Sequence, residues 1–274
     1  MPEGPEVETI RRSIESDLIG KKIKRVLKSD FPLRRNTTVF ELKRLVGLKV
    51  LNSFCHGKLM CVELESNCGL FIHLGMTGQL LLESKSLKKN HTHVEFYLEG
   101  NDNSLKFVDP RRFGCVIPYF SELEKLGELA KLGPNPLKWS EREKEIVAKR
   151  ISKSSRAIKE ILLDQSVLAG VGNIYASESL FLAKISPFKS ASSININDIK
   201  KLVNACAEVL QIGLDNCGTS FSDYVDGYGN KGTNIDYVKV FQRYEEPCYE
   251  CGDFIAKKKQ SGRTTFYCPT CQRL

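Results

Sequence analysis

Four cysteines near the C-terminus constrain this chain more than any other feature. Cys248-x-x-Cys251 is followed, after sixteen residues, by Cys268-x-x-Cys271. Two such knuckles present four thiolates that close tetrahedrally on one Zn2+, with Zn–S bonds of about 2.3 Å. The last 37 residues, 238–274, are too few to hold themselves together by apolar burial, so the ion is what folds them. Every ligand position is a cysteine, which leaves no coordination position open. The zinc is therefore read as structural, one per chain, and not catalytic. Between the knuckles, Lys257, Lys258, Lys259 and Arg263 form a basic tip that either presses on phosphates or is a solvated face.

The remainder must fold by ordinary means. A chain of 274 residues supports about two domains, each with its own core. Lys and Arg total 41 against 33 acids, a formal charge of +8. That balance suits a polyanionic partner, because phosphate contacts release counterions. Residues 142–159 concentrate it, with Arg142, Lys144, Lys149, Arg150, Lys153, Arg156 and Lys159 against Glu143 and Glu145. No apolar run reaches the length of a membrane span, and Glu3, Glu6 and Glu8 are the wrong charges for a signal peptide. A cytoplasmic protein is expected, in which disulfides are rare. The other six cysteines, Cys55, Cys61, Cys68, Cys115, Cys206 and Cys217, have no ligand spacing and read as small core or surface residues.

Val7, Ile10, Ile14 and Leu18 recur at helical spacing and predict a helix over 5–18. Short alternating or β-branched runs at 23–28, 48–53, 58–64, 69–73, 78–82, 93–98, 104–108 and 115–119 predict eight strands, with a second helix over 38–46. The class is α+β, an N-terminal β-sandwich flanked by helices. Gly133-Pro134-Asn135-Pro136 marks a linker. The expected domains are 1–132, a linker at 133–139, a helical domain over 140–237, and the zinc finger at 238–274. Helices are expected at 141–153, 155–165, 172–183 and 195–215, and a mobile loop at 218–237.

Chemistry concentrates at the other end. In Met1-Pro2-Glu3-Gly4-Pro5-Glu6, loss of Met1 would expose the secondary amine of Pro2. Such an amine attacks an aldehyde carbon to give a cationic iminium, with Glu3 and Glu6 at hand for proton transfer. The plain alternative is that Gly4 caps a helix, Pro5 opens it and the acids answer its dipole. Gly170-Val171-Gly172-Asn173 precedes a helix and offers turn amides to an anion, or is a compact helical hairpin. Asp109-Pro110-Arg111-Arg112-Phe113-Gly114 joins two strands and presents an arginine beside an aromatic, suited to a wedge in a duplex. Met76, between Gly75 and Thr77, is core filler or a second wedge element, and Lys58 is a strand-edge lysine unless context gives it work.

Together these motifs resemble the formamidopyrimidine-DNA glycosylase family. The likeness runs in order along the chain: PEGPEVET at 2–9, GK at 57–58, HLGMTG at 73–78, HTHV at 91–94, DPRRFG at 109–114, LGPNPL at 132–137, LAGVGNIYASESLF at 168–181, and the cysteine pairs with GRTTFYC at 262–268. The resemblance implies an enzyme that excises oxidised purines, 8-oxoguanine and formamidopyrimidines, and nicks the strand by β,δ-elimination. It implies that Pro2 is the nucleophile, Glu3 the general acid–base and Glu6 a supporting carboxylate. Lys58 would contact phosphate and assist elimination, and Arg263 would serve the δ step. His91, Arg111, Lys159 and Asn173 would contact DNA. Met76, Arg111 and Phe113 would fill the gap left by the flipped base, whose extrusion costs a few kcal/mol. The helices around 170–173 would be a helix–two-turns–helix element, and the loop at about 219–234 a cover over the base. The partner is double-stranded DNA with an oxidised base, met by a monomer at the bacterial nucleoid. Two alternatives stand: an endonuclease VIII-like enzyme for oxidised pyrimidines, which shares the PEGPE opening, and a non-catalytic zinc-containing nucleic-acid binder.

Overall fold

The computed structural model describes residues 1–273 and forms two compact units. The first comprises Met1–Lys131 and Asn216–Ile235. It opens with α1 (Gly4–Leu18), whose Val7, Ile10, Ile14 and Leu18 are all buried. Glu3, in extended conformation, holds the cap position, so Gly4 is the first helical residue and not the cap. The strands are β1 (Ile23–Lys28), β2 (Val50–His56), β3 (Leu59–Leu64), β4 (Gly69–His73), β5 (Gln79–Ser84), β6 (Thr92–Leu98), β7 (Asn103–Val108) and β8 (Cys115–Tyr119). They build two antiparallel sheets, ordered β1-β6-β7-β5 and β2-β3-β4-β8. Their inward residues, among them Val26, Phe96, Leu105 and Leu80 from one sheet and Val62, Leu70 and Val116 from the other, share a core with α1. This is the expected sandwich. Full burial of each such side chain is worth about 1.5–3 kcal/mol.

The short α2 (Val39–Lys43) starts at Thr38, whose hydroxyl accepts from the Glu41 amide while the Glu41 carboxylate accepts from the Thr38 amide. The sequence reading missed α3 (Glu122–Leu129), which none of its side chains buries. Leu123 and Leu126 are exposed, the former at 81 %, so core-directed periodicity could not reveal it.

Residues 216–235, expected to continue the helical domain as a mobile loop, belong instead to the first unit. Tyr224 enters its core. The Leu82 amide donates to the Gly227 carbonyl at 2.7 Å, the Gly227 amide to Ser13 Oγ at 3.0 Å, and the Tyr228 hydroxyl to Asp17 at 2.5 Å. A bridge between Thr219 and Thr233 closes the segment's neck, where a Cβ on Gly232 would collide with the Gly218 carbonyl oxygen. Only glycine permits that approach.

In the second unit, α4 (Glu141–Ser152), α5 (Ile158–Leu162), α6 (Asn173–Leu182) and α7 (Ile196–Asp215) precede a hairpin of β9 (Ala256–Gln260) and β10 (Arg263–Tyr267). The helix expected over 155–165 shrinks to α5. At its start the Ile158 amide turns to the Lys189 carbonyl, and beyond its end Asp164 accepts from the Ser166 amide in a local turn. Residues 133–139 are packed against this unit. The Gly133 amide donates to the Gln165 carbonyl, and a Cβ there would sit 2.5 Å from the Val167 carbonyl oxygen. No helix among the described residues is long and apolar enough to cross a membrane.

Candidate functional site

In the first unit the candidate residues gather at the start of α1. Pro2 and Glu3 are buried behind an exposed Met1. Glu6 uses both carboxylate oxygens: Oε2 accepts from the Glu3 amide at 2.8 Å, and Oε1 from the Thr219 amide at 2.8 Å. One carboxylate therefore fixes the backbone beside Pro2 and also anchors the neck of the 216–235 segment. Asn234 extends the chain, its Nδ2 donating to Thr219 Oγ1 at 2.7 Å. Neither Thr219 nor Asn234 was singled out by the sequence, because 213 residues separate Thr219 from Glu6.

Lys58 sits in the two-residue turn between β2 and β3, made possible by Gly57 at φ 61°. It is 8 % exposed. Cys55, near the same turn, donates its thiol to the Val7 carbonyl, which brings this end of β2 to the first turns of α1. His73 ends β4, and its Nδ1 accepts from the Gly75 amide at 3.0 Å, leaving the ring proton on Nε2. Burial, with Lys58 and Arg34 adding positive charge, lowers its pKa to about 4, so the ring is neutral at physiological pH. His73 lies inside a motif the sequence exposed, yet without structure nothing set it apart as a site residue.

The loops that carry the residues expected to form a wedge converge on Asp109, which is fully buried. Its Oδ1 accepts from the Thr77 hydroxyl at 2.7 Å and its Oδ2 from the Gly114 amide at 2.8 Å. Its backbone carbonyl meets His93 Nε2 at 3.0 Å. Gly75 (φ 63°) lies against the backbone of Phe113 and Gly114, where a Cβ would come within 2.5 Å. The two loops are thereby pinned side by side. Met76 is 42 % exposed and Phe113 is 43 % exposed, far from core behaviour, and the Arg111 guanidinium lies 4.7 Å from the Phe113 ring centroid. His91 is exposed, with a left-handed φ of 62°.

The second unit carries the remaining candidates. Arg263 is exposed at the start of β10, and Lys257, Lys258 and Lys259 are exposed on β9. Asn173, at the start of α6, donates Nδ2 to the Thr264 carbonyl at 3.0 Å, while its Oδ1 is buried without a partner. The turn before it is partly consumed internally, since the Gly170 amide donates to Gln165 Oε1 and the Ala169 amide to the Pro134 carbonyl. Lys159 departs from expectation. It is 1 % exposed and donates Nζ to Thr265 Oγ1 at 2.8 Å, so a direct contact with DNA is not available to it.

Cys248, Cys251, Cys268 and Cys271 bring their sulfurs within 4.8 Å of one another, with separations of 3.9 Å for Cys248–Cys271 and 3.5 Å for Cys251–Cys268. Tetrahedral Zn–S bonds of about 2.3 Å require S···S distances of about 3.8 Å, so the donor set fits. It is the one such group among the described residues. The other cysteines stay apart from it. Burial pushes the Cys61 thiol up to about 11 and the Cys206 thiol up to about 12, which suits inert core residues.

Comparison with known proteins gives three family matches in succession. Residues 1–116 match the formamidopyrimidine-DNA glycosylase N-terminal domain, residues 132–224 the formamidopyrimidine-DNA glycosylase H2TH domain, and residues 245–274 the zinc finger found in FPG and IleRS. The chain is 38% identical over 278 residues to a formamidopyrimidine-DNA glycosylase of Pelotomaculum thermopropionicum, covering 100% of both. It superimposes with a TM-score of 0.90, at 30% identity and full coverage of both chains, on a point mutant of the Lactococcus lactis FPG in complex with a Fapy-dG containing DNA. A MutM in complex with carbocyclic 8-oxo-G containing DNA matches with a TM-score of 0.87 at 31% identity, again over both whole chains. The four cysteines thus hold one structural zinc.

Proposed function

The chain belongs to the formamidopyrimidine-DNA glycosylase family, and on that premise we propose how its residues divide the family's two reactions. It is a DNA glycosylase that excises oxidised purines, formamidopyrimidines and 8-oxoguanine, from DNA. Membership in a family of DNA glycosylases sets aside the non-catalytic binder.

Once Met1 is removed, the Pro2 nitrogen attacks C1′ of the lesion sugar and the damaged base departs with a proton. Opening of the sugar ring leaves an iminium joining Pro2 to C1′. That cation acidifies the C2′ hydrogens, and loss of one proton expels the 3′-phosphate. A second elimination expels the 5′-phosphate, and water releases the sugar fragment from Pro2. Glu3 handles protons at the sugar, and Glu6 holds Glu3 and Pro2 in register. Lys58 contacts phosphate and assists the first elimination, and Arg263 the second. His91, Arg111 and Asn173 grip the DNA backbone, while Met76, Arg111 and Phe113 occupy the vacated stack. Lys159 is not assigned a DNA contact. The protein acts as a monomer, and its charge of +8 suits work on nucleoid DNA in the cytoplasm.

The observation that carries this reading is the Glu6 carboxylate, bonded at 2.8 Å to the amide next to Pro2. A helix cap alone would not need the same carboxylate to anchor a distant segment. Borohydride reduction during reaction with an abasic-site duplex should trap one covalent adduct, and peptide mapping should place it on Pro2. An adduct on Lys58, or none, would overturn the assignment.

A further inference from the structure

Lys159 is among the most deeply buried side chains in the second unit, and the hydrogen bonds around it run in one direction. Its Nζ donates to Thr265 Oγ1 at 2.8 Å. The Thr265 hydroxyl, wholly buried, donates to Gln260 Oε1 at 3.1 Å, and Gln260 Nε2 donates to the Pro187 carbonyl at 3.2 Å. Gln260 and Arg263 are the paired residues that close the β9–β10 hairpin, joined by Ser261 at φ 46° and Gly262 at φ 76°. The tip is held from outside as well, because the Ser261 hydroxyl donates to Glu160 and Asn173 Nδ2 to the Thr264 carbonyl. The tip thus rests on Lys159 and Glu160 of α5 and on the first residue of α6. A two-residue turn with both φ values positive follows the twist of its strands, so where β9 and β10 are held decides where the tip points. An ammonium this deeply buried demands fixed partners, so the residues it binds are fixed too.

We propose that Lys159 is a positioning residue: through Thr265 and Gln260 it sets the hairpin turn that presents Arg263, and so governs the second elimination without touching DNA. The proposal rests on the reading of Arg263 given above. Its logic is geometric, since a charged group displaced by about 1 Å from a leaving phosphate can cost about 100-fold in the step it serves. The groups assigned to attack on the sugar and to the first elimination, Pro2, Glu3 and Lys58, belong to the first unit, so those steps should be spared as long as the zinc module stays folded.

The test uses the zinc-loaded, full-length protein in single turnovers on an abasic-site duplex and on an 8-oxoguanine duplex. Lys159→Met keeps an unbranched side chain one atom shorter and removes its charge. Thr265→Val keeps the shape of β10 and removes the hydroxyl. Arg263→Gln is the control. The readouts are zinc content, melting temperature, and the ratio of products from one and from two eliminations. Both positioning variants should lower the share of the second-elimination product by about tenfold. Borohydride trapping and base excision should stay within about twofold, with one zinc per chain retained. If Lys159→Met loses zinc, Thr265→Val decides the matter. If Arg263→Gln leaves the ratio unchanged, the reading of Arg263 fails. If Arg263→Gln lowers the ratio and both other variants leave it alone, the positioning role is wrong. A uniform loss of all steps in Thr265→Val would also overturn it.

Discussion

The zinc module and the first unit hold their working residues by opposite means. In the module the buried apolar cluster is Val240, Cys248, Ile255 and Cys268, two of them metal ligands, completed by Phe181 of α6. So small a core leaves the ion to supply the stability, and the ligands lie within 24 residues of sequence, 248–271. In the first unit a large sandwich core does the folding. There the working geometry comes from buried carboxylates, Glu6 and Asp109, each collecting donors from separate strands, loops and helices. One region concentrates its stability in a single bond set. The other spreads it, and single losses there should be graded.

The sharpest break would come from Cys248→Ser. Structural zinc in small fingers is worth about 10–16 kcal/mol, so loss of a ligand should release the ion, melt the hairpin and abolish lesion binding, as read by zinc analysis and a gel-shift assay. A variant that kept a folded hairpin would mean that the module, too, stands on distributed packing.

A smaller effect is expected at His73. Its folded pKa, about 4, lies below the ordinary value of 6.5. Between those values the unfolded chain binds a proton that the folded chain refuses, so stability is full above about 6.5 and falls as pH drops toward about 4. The ring is partly open to water, so the loss is at most about 3 kcal/mol. Urea unfolding at several pH values should show a steeper acid decline in the wild type than in His73→Gln. Comparing the two proteins cancels the zinc site's own acid sensitivity. Equal slopes would remove His73 from the account of the first unit.

The smallest change in stability belongs to Phe113→Ala. A buried phenylalanine would cost about 3–5 kcal/mol, whereas a ring 43 % exposed should cost far less. The effect should appear in function instead. Excision of 8-oxoguanine opposite cytosine should fall more than nicking at a preformed abasic site, where no base must be held out. A large drop in melting temperature with equal loss in both reactions would return Phe113 to the core.

The same contrast explains what could be read before the fold was known. The zinc ligands were legible because their spacing is itself the geometry. The helix over α1 and the eight strands were legible because apolar periodicity reports burial directly, and the exposure of Met76 and Phe113 agrees with the part expected of them. Thr219 and Asn234 were invisible, since nothing in the intervening residues says that a segment beyond α7 returns to α1. Lys159 misled for a related reason. A lysine among other basic residues reads as surface charge, and only the hairpin folded over it makes it an interior post. The exposed leucines of α3 gave no core signal at all.

Because residues 216–235 return to the first unit, heredity cannot exchange that unit as one contiguous stretch of gene. A recombination event near codon 131 would transfer Glu6 without Thr219, and Ser13 without the Gly227 amide that it receives. The scaffold around Pro2 would arrive lacking half of its bracing. Crossovers that preserve activity must move two separated segments together, or occur between parents already alike at the neck around Gly218 and Gly232. The order of the three family segments along the chain looks modular, but the hydrogen bonds tie the first of them to residues encoded far downstream.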